Sequence, residues 1–173
     1  MDAKDKYKKY VFDYDWNTVT RAYFDKYPHK KMGFIKYNKV VDINLAEDGK
    51  LVVKRVQKAT KWGMLWAYNL ETLTFDFEKK VMSLETTLIK KSSLLPISGG
   101  KEQIFYKAIQ EVDEATGAAV EKTEYTKSLN LQGSLSKVAS KFNDSFKKGC
   151  RIVEENCEKY QNMGLWDWYK LRE

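Results

Sequence analysis

The longest periodic segment of the sequence, residues 134–160, constrains the fold most. Its apolar residues recur at three- and four-residue steps, which places them on one stripe of an α-helix. They are Leu135, Val138, Ala139, Phe142, Phe146, Gly149, Cys150, Val153 and Cys157. Lys141, Ser145 and Lys148 form a second row, about a quarter-turn away at roughly 100° per residue. The pattern predicts a long core helix whose apolar stripe is bordered by cations.

That border has two interpretations. Lysine is usually exposed, because its stem covers apolar surface while its ammonium stays in water, so Lys141 and Lys148 can belong to a solvated helix face. Alternatively, the lysines and Ser145 surround a polar mouth over an apolar interior. Spacing alone favours the first interpretation and leaves the second open.

The rest of the sequence predicts an antiparallel sheet. Strand-like segments separated by short turns occupy residues 7–12, 33–45, 51–58, 70–77, 81–89, 103–112 and 120–131. A short helix begins after the first of them, where Asp13 or Asp15 can cap the turn that contains Trp16. The pattern predicts an α+β fold of about seven strands with helices on one face. No linker or repeat divides the chain, which predicts a single domain over residues 1–173.

The charge and the arginine content indicate the class of partner. The formal net charge is +7, and four of the 31 basic residues are arginines. Lysine attracts phosphates and anionic lipids diffusely, whereas arginine reads base edges through paired hydrogen bonds. Anionic partners are therefore expected, and sequence-specific nucleic-acid binding is disfavoured. No run of about 20 apolar residues predicts a membrane span, and the first ten residues lack the apolar segment of a signal peptide.

Candidate catalytic and metal-binding residues are few. His29 is the only histidine, and it has no partner at the spacing of a metal site or a nucleophile. Cys150 and Cys157 lie about 10 Å apart along the predicted helix, which is too far for a disulfide, and their spacing fits no metal site. The sequence also lacks a phosphate-binding glycine loop and a serine-centred elbow. The expectation is a binding protein without cofactor, metal or enzymatic activity.

Two aromatic segments lack an obvious place in the core. Residues 60–69 predict a loop that carries Trp62, Met64, Leu65, Trp66 and Tyr68. Such a loop packs on the core, covers a lipid-like ligand as a lid, or touches a membrane, because Trp and Tyr suit the boundary between water and hydrocarbon. The tail, residues 161–173, packs back on the domain or docks on a membrane or a partner.

The opening of the chain carries a specific order of motifs. Residues 10–28 read YVFDYDWNTVTRAYFDKYP, and the residues at issue are Asp13 or Asp15, Trp16, Val19, Ala22, Lys26, Tyr27 and Pro28. This order resembles the PRELI-like (slowmo/Ups) family of phospholipid transfer proteins of the mitochondrial intermembrane space. The resemblance continues at residues 48–51, at Arg55, in the aromatic stretch after it, and in residues 134–149. It therefore covers essentially the whole chain.

The resemblance implies a helix-grip, START-like fold that encloses one phospholipid beneath a lid at residues 60–69. Members of the family are carriers of phosphatidic acid, or in one branch phosphatidylserine, between the two mitochondrial membranes. They work with a small helical partner that has twin Cys-x9-Cys motifs, and they dock peripherally on anionic membranes. By position, the headgroup contacts implied here are Lys26, Lys58, Lys141, Ser145 and Lys148.

The sequence departs from the family pattern in three places. After Pro28 it reads HKKMGFIKY, where the family usually has Asn-Pro and then His-Val. Ser145 stands where Asn is frequent, and the lid is shorter by several residues. A helix-grip enzyme or a carrier of another small hydrophobic ligand is the alternative function. A nucleic-acid binder with strongly salt-dependent affinity is the third.

Overall fold

The computed structural model describes residues 6–61, 63–95, 97–133, 136–164, 167 and 170. Its strands form one antiparallel sheet of seven strands in the order β1-β7-β6-β5-β4-β3-β2. The strands are β1 (Lys6–Phe12), β2 (Ile35–Leu45), β3 (Leu51–Lys61), β4 (Leu65–Asp76), β5 (Val81–Lys91), β6 (Ile97–Val112) and β7 (Ala119–Gly133). The predicted α+β class and helix-grip arrangement are confirmed, because the long helix follows the last strand of this sheet.

Helix α1 (Trp16–Phe24) follows β1 directly. Asp15 is its N-cap, since its carboxylate accepts a hydrogen bond of 3.0 Å from the Thr18 amide. Trp16 is fully buried and donates from its indole nitrogen to the Tyr106 carbonyl of β6 at 3.1 Å. The start of α1 is thereby fixed to an interior strand of the sheet.

Helix α2 (Ser136–Tyr160) covers the same face of the sheet as α1. Its apolar stripe is confirmed where side chains are described, because Phe146, Cys150, Val153 and Cys157 are all buried. The Phe146 ring stacks on Tyr125 of β7 with centroids 5.3 Å apart. A short 3₁₀ turn, Lys30–Met32, lies between α1 and β2 and also contacts α2.

The predicted loop over residues 60–69 is wrong. Strand β3 runs to Lys61 and pairs with β4 along its whole length, and β4 begins at Leu65, so only residues 62–64 lie between the two strands in the sequence. Ala67 is buried between half-buried Trp66 and Tyr68, which is the alternation of a strand. The prediction missed it because the outward-facing positions are aromatic instead of polar.

The connection between β5 and β6 is also shorter than predicted. The turn-forming residues 90–101 predict a long loop, but β5 extends to Lys91 and β6 begins at Ile97.

Register shifts between Ile35 and Tyr37 and between Val40 and Asp42 interrupt the pairing of β2 with β3. Strand β2, which is last in the strand order, is an edge strand whose pairing with β3 is irregular.

Candidate functional site

A cavity of about 300 Å³ lies between the inner face of the sheet and the segments around α1 and α2. Its lining combines aromatic and aliphatic side chains with several charged ones. The lining residues are Tyr23, Lys26, Tyr27, Met32, Phe34, Ile35, Gln57, Asn69, Glu71, Thr86, Leu88, Gly100, Lys101, Glu102, Ile104, Tyr125, Lys127, Leu129, Ser145 and Phe146. A concave lining that combines apolar surface with converging polar groups is typical of a ligand site.

Lys26, just after the end of α1, is the most deeply buried cation that lines the cavity, with 6% of its surface exposed. Its ammonium lies 5.4 Å from the Tyr23 ring centroid and 5.0 Å from that of Tyr27, on two faces that attract cations. Within the described part of the chain, no carboxylate forms an ion pair with it. Burial lowers the pKa of Lys26, and the negative charge of Glu102 partly opposes that shift. An anion that enters the cavity would therefore find an uncompensated positive charge.

Gly149 provides the space that Lys26 occupies against α2. A Cβ atom added at this glycine would lie 2.8 Å from Lys26 Nζ and 3.3 Å from its Cε. Both distances are shorter than ordinary van der Waals contact, so the ammonium rests on the bare backbone of the helix. The glycine in the apolar stripe of α2 thus has a specific function in packing.

Lys127 and Glu102 form an ion pair on neighbouring strands at the wall of the cavity. Lys127 Nζ lies 2.9 Å from Glu102 Oε1, and the two side chains are 14% and 27% exposed. Both residues line the cavity, where Glu102 also attracts Lys26. The cavity wall thus holds a second cation beside Lys26, together with a carboxylate that compensates it.

A second carboxylate, Glu71 of β4, accepts hydrogen bonds from three side chains. Arg55 Nη2 lies 2.8 Å and its Nε 3.1 Å from Glu71 Oε2, and Asn38 donates to the same oxygen at 2.8 Å. Gln57 donates to Oε1 at 3.0 Å. Arg55 also donates to the Phe24 carbonyl at 3.1 Å, which attaches the end of α1 to the sheet. This cluster is a neutral floor of the cavity.

The five headgroup residues implied by the resemblance occupy different places. Lys26 and Ser145 line the cavity. Lys148 is exposed and does not line it, and Lys58 follows cavity-lining Gln57 on β3, so Lys58 lies on the opposite face of the sheet. Neither Lys58 nor Lys148 therefore lines this cavity. Lys141 belongs to α2, but its side chain lies outside the described residues.

The residues assigned to a lid are distributed over the β3–β4 hairpin. Met64 is exposed in the turn, whereas Leu65, Trp66 and Tyr68 are half-buried residues of β4. Trp66 and Tyr68 are on the outer face, where their rings contact edge to face with centroids 5.7 Å apart. Trp62 lies outside the described residues, as do the tail residues 165, 166, 168 and 169.

Sequence analysis missed Lys127, Glu102 and Glu71 as residues of the cavity. A signal for Lys127 existed, because strand alternation places it on the same face as Tyr125 and Leu129. The alternation could not reveal that Glu102 reaches Lys127, because that pairing depends on the register of β6 with β7.

The described residues offer few reactive or metal-binding groups outside this cavity. Burial raises the pKa of the Cys150 and Cys157 thiols to about 12, so they stay protonated. No group of three or more His, Cys, Asp or Glu residues within the described ranges could hold a metal ion. None of the helices in these ranges is both long and apolar enough to cross a membrane.

Comparison with known proteins shows similarity to two solved structures and a match to one family. The crystal structure of Ara h 8.0201 superposes with a TM-score of 0.59 at 11% identity and covers 90% of this chain and 97% of that one. The crystal structure of TTHA0849 from Thermus thermophilus gives a TM-score of 0.54 at 13% identity with the same coverage. These likenesses show the helix-grip fold. Residues 17–163 match the PRELI-like family, and the chain therefore belongs to that family.

Proposed function

We propose that this protein binds one phospholipid of net negative charge and carries it between mitochondrial membranes. The observation that carries the proposal is Lys26, a buried cation that lines the cavity without an ion pair among the described residues. Family membership supports binding and transfer of a lipid.

A phosphate that leaves water needs charged donors to offset its desolvation, which otherwise costs several kcal/mol or more. Lys26 and Lys127 supply ammonium groups, and Ser145 supplies a hydroxyl, from three different segments that line one cavity. Hydrogen bonds from charged donors to phosphate are shorter and stronger than neutral ones. These three residues are the proposed headgroup contacts.

The acyl chains need apolar surroundings, because each CH₂ group left in water costs about 0.8 kcal/mol. Leu88, Ile104, Leu129 and the stacked Tyr125 and Phe146 rings provide such a surface next to the cations. The arrangement matches an amphiphile whose polar and apolar parts are adjacent.

Phosphatidic acid is the first candidate and phosphatidylserine the second. In a cavity of about 300 Å³, at the small end of the range for ligand sites, the smallest headgroup leaves the most room for the acyl chains. A bare phosphate also uses two lysines and a hydroxyl without requiring further partners.

The proposed location is the mitochondrial intermembrane space, and the proposed partner is a small helical protein with twin Cys-x9-Cys motifs. Both rest on family membership. Co-purification of the tagged chain from mitochondria with a partner of that type supports the complex. Recovery of the tagged chain without such a protein counts against it.

The proposal is tested by transfer of labelled phosphatidic acid between liposomes. Lys26→Gln removes the buried cation and is expected to lower the transfer rate about tenfold or more, because a charge-assisted hydrogen bond contributes about 1.5–3 kcal/mol. Lys148→Gln is the matched control, since Lys148 is exposed and does not line the cavity. Transfer by Lys26→Gln at the wild-type rate would rule out this headgroup site.

Mass spectrometry of organic extracts identifies the cargo independently. A phospholipid that co-purifies with the wild-type protein and is lost in Lys26→Gln supports the carrier. A non-phospholipid hydrophobic molecule in its place would favour the alternative carrier or enzyme.

A further inference from the structure

Three lysines among the described residues line the cavity, and their surroundings differ. Lys127 pairs with Glu102 at 2.9 Å, and Lys101 pairs with Glu85 at 2.7 Å. Lys26 is the one lysine in the described part of the chain that is buried, and no carboxylate there forms an ion pair with it. Its nitrogen faces two aromatic rings and the bare backbone of α2.

The titratable groups around Lys26 include no unpaired anion among the described residues. These groups are Tyr23, Tyr27, Arg55, Glu71, Glu102 and Cys150. Each of the two glutamates already has a cationic partner. The two tyrosines and the cysteine have raised pKa values and are uncharged near neutral pH. Burial therefore lowers the pKa of Lys26, and attraction to Glu102 opposes that shift only in part.

A lysine nitrogen in such surroundings is suited to nucleophilic attack. Desolvation favours the amine over the ammonium, and desolvated lysines form Schiff bases with carbonyl compounds for this reason. Leu88, Ile104 and Leu129 line the same cavity and provide apolar surface for an alkyl chain. An alkyl aldehyde would therefore find a nucleophile and an apolar surface in one cavity. A phosphate, in contrast, requires the ammonium form of the same nitrogen.

We propose that Lys26 is a covalent site that forms a Schiff base with alkyl aldehydes in the lipid-free cavity. The Lys26 nitrogen bonds to the carbonyl carbon, and the carbonyl oxygen gains the proton that the nitrogen loses. The resulting carbinolamine then loses its hydroxyl group and the second nitrogen hydrogen as water, which leaves a C=N bond. The reaction needs no oxidant or reductant.

The covalent site goes beyond the proposed function, because it requires only the cavity and the amine. Its effect on cargo rests on that function. The alkyl chain would occupy the apolar surface that the acyl chains need, and the Lys26 nitrogen would no longer be free to bind a phosphate. An aldehyde and an anionic lipid are therefore expected to exclude each other.

Reductive labelling of the lipid-free protein tests the site. Hexanal is the probe, and cyanoborohydride transfers a hydride to the C=N bond, which converts the Schiff base into a stable secondary amine. Peptide mass spectrometry measures the rate at each lysine. We expect Lys26 to be labelled several times faster than exposed Lys148 and ion-paired Lys127 at neutral pH. Labelling of Lys26 no faster than that of Lys148 would overturn the proposal.

The pH dependence separates the reactivity of the nitrogen from its access to the probe. Exposed lysines lose their proton near pH 10.5, so the advantage of Lys26 should shrink as the pH rises toward that value. A ratio between Lys26 and Lys148 that stays constant with pH would contradict the proposal, because access alone would then explain it.

Acetaldehyde tests the contribution of the apolar lining. It carries the same carbonyl group with a shorter chain, so it should label Lys26 with a smaller preference over Lys148 than hexanal does. An equal preference for the two aldehydes would show that the reaction does not use the apolar lining of the cavity.

Lys26→Met is the control for the site itself. It removes the nucleophile and keeps an apolar side chain of similar length, and we expect Lys127 and Lys148 to be labelled at their wild-type rates. Rapid labelling of Lys127 in this variant would overturn the assignment to Lys26, because any lysine in the cavity would then react.

Competition with short-chain phosphatidic acid distinguishes the covalent site from the headgroup site. The lipid should slow labelling of Lys26 and leave Lys148 unchanged. If Lys26 is labelled rapidly and the lipid gives no protection, the covalent site stands and the headgroup site fails. If Lys26 is not labelled preferentially but lipid transfer still depends on it, the headgroup site stands and the covalent site fails.

Discussion

Glu71 and Lys26 both carry charge beneath the helices, but their surroundings differ. Three side chains donate to the Glu71 carboxylate, and one of them is the Arg55 guanidinium. The Lys26 ammonium contacts two aromatic rings and the backbone at Gly149 without an ion pair among the described residues.

The two residues illustrate that buried charges in one protein interior can either stabilise the fold or bind a ligand. A buried charge with all its partners holds elements together, and removing one partner is costly. A buried charge without a full partner is destabilising until a ligand supplies one. Glu71 is therefore expected to stabilise the fold. Lys26 is expected to bind the cargo and to destabilise the lipid-free protein.

The largest expected effect breaks the compensated cluster. Arg55→Met leaves Glu71 buried without its cation and should lower the free energy of unfolding by about 3–5 kcal/mol. The double variant Arg55→Met/Glu71→Leu removes both charges and should recover much of that loss. Urea denaturation measures both; a double variant less stable than Arg55→Met would show that the cluster does not act as a charge pair.

Removing the uncompensated cation Lys26 should have the opposite effect on the free energy of unfolding. Lys26→Met replaces a buried ammonium by an apolar side chain of similar length, and it should raise the free energy of unfolding of the lipid-free protein by about 1–3 kcal/mol. Lys148→Met, at an exposed position, is the control and should change stability little. A destabilised Lys26→Met protein would indicate that Lys26 has a stabilising partner.

The stability gain of Lys26→Met should depend on pH. Because the pKa of Lys26 is lowered in the folded protein, the unfolded chain binds more protons in the window between that lowered pKa and the ordinary value of 10.5. The stability of the wild-type protein therefore rises with pH there relative to Lys26→Met. The difference between the two proteins should shrink as the pH rises through that window toward 10.5, and a constant difference would contradict the assignment.

The smallest effect concerns the contact between Lys26 and α2. Gly149→Ala places a methyl group where Lys26 Nζ now lies, so the ammonium has to move. Helix propensity favours alanine by about 1 kcal/mol, which should leave the fold intact. We expect binding of short-chain phosphatidic acid to weaken about fivefold, a loss of about 1 kcal/mol. Unchanged binding would mean that the position of Lys26 is not critical.

Local patterns predicted most of the fold. The alternation of apolar residues identified all seven strands, and the stripe in residues 134–160 identified α2. The beginning of β4 was not predicted as a strand. Its outward-facing residues Trp66 and Tyr68 are aromatic, so apolar and polar residues do not alternate there with a period of two. The predicted strand ends differ from the observed ones by a few residues where turn-forming residues belong to the sheet, as at the beginning of β6.

The candidate site was less predictable because it depends on pairing between strands. Lys26 and Ser145 were named through resemblance, and both line the cavity. Lys58 was also named through resemblance, but it lies on the outer face of the sheet; its adjacency to Gln57 fixes its side of the strand once one of the two is known to face inward. The pair of Lys127 with Glu102 arises from residues 25 positions apart in sequence and has no local signature.

The missing side chain at Gly149 has a geometric consequence for α2. Each step along the helix turns the facing position by about 100°, so a rotation of one residue would bring Lys148 or Cys150 toward the Lys26 ammonium. Either side chain would have to displace the ammonium, as a methyl group at position 149 would. The observed angular setting of the last helix is therefore the one that leaves the charge beneath it in place, because the position that faces the charge has no side chain.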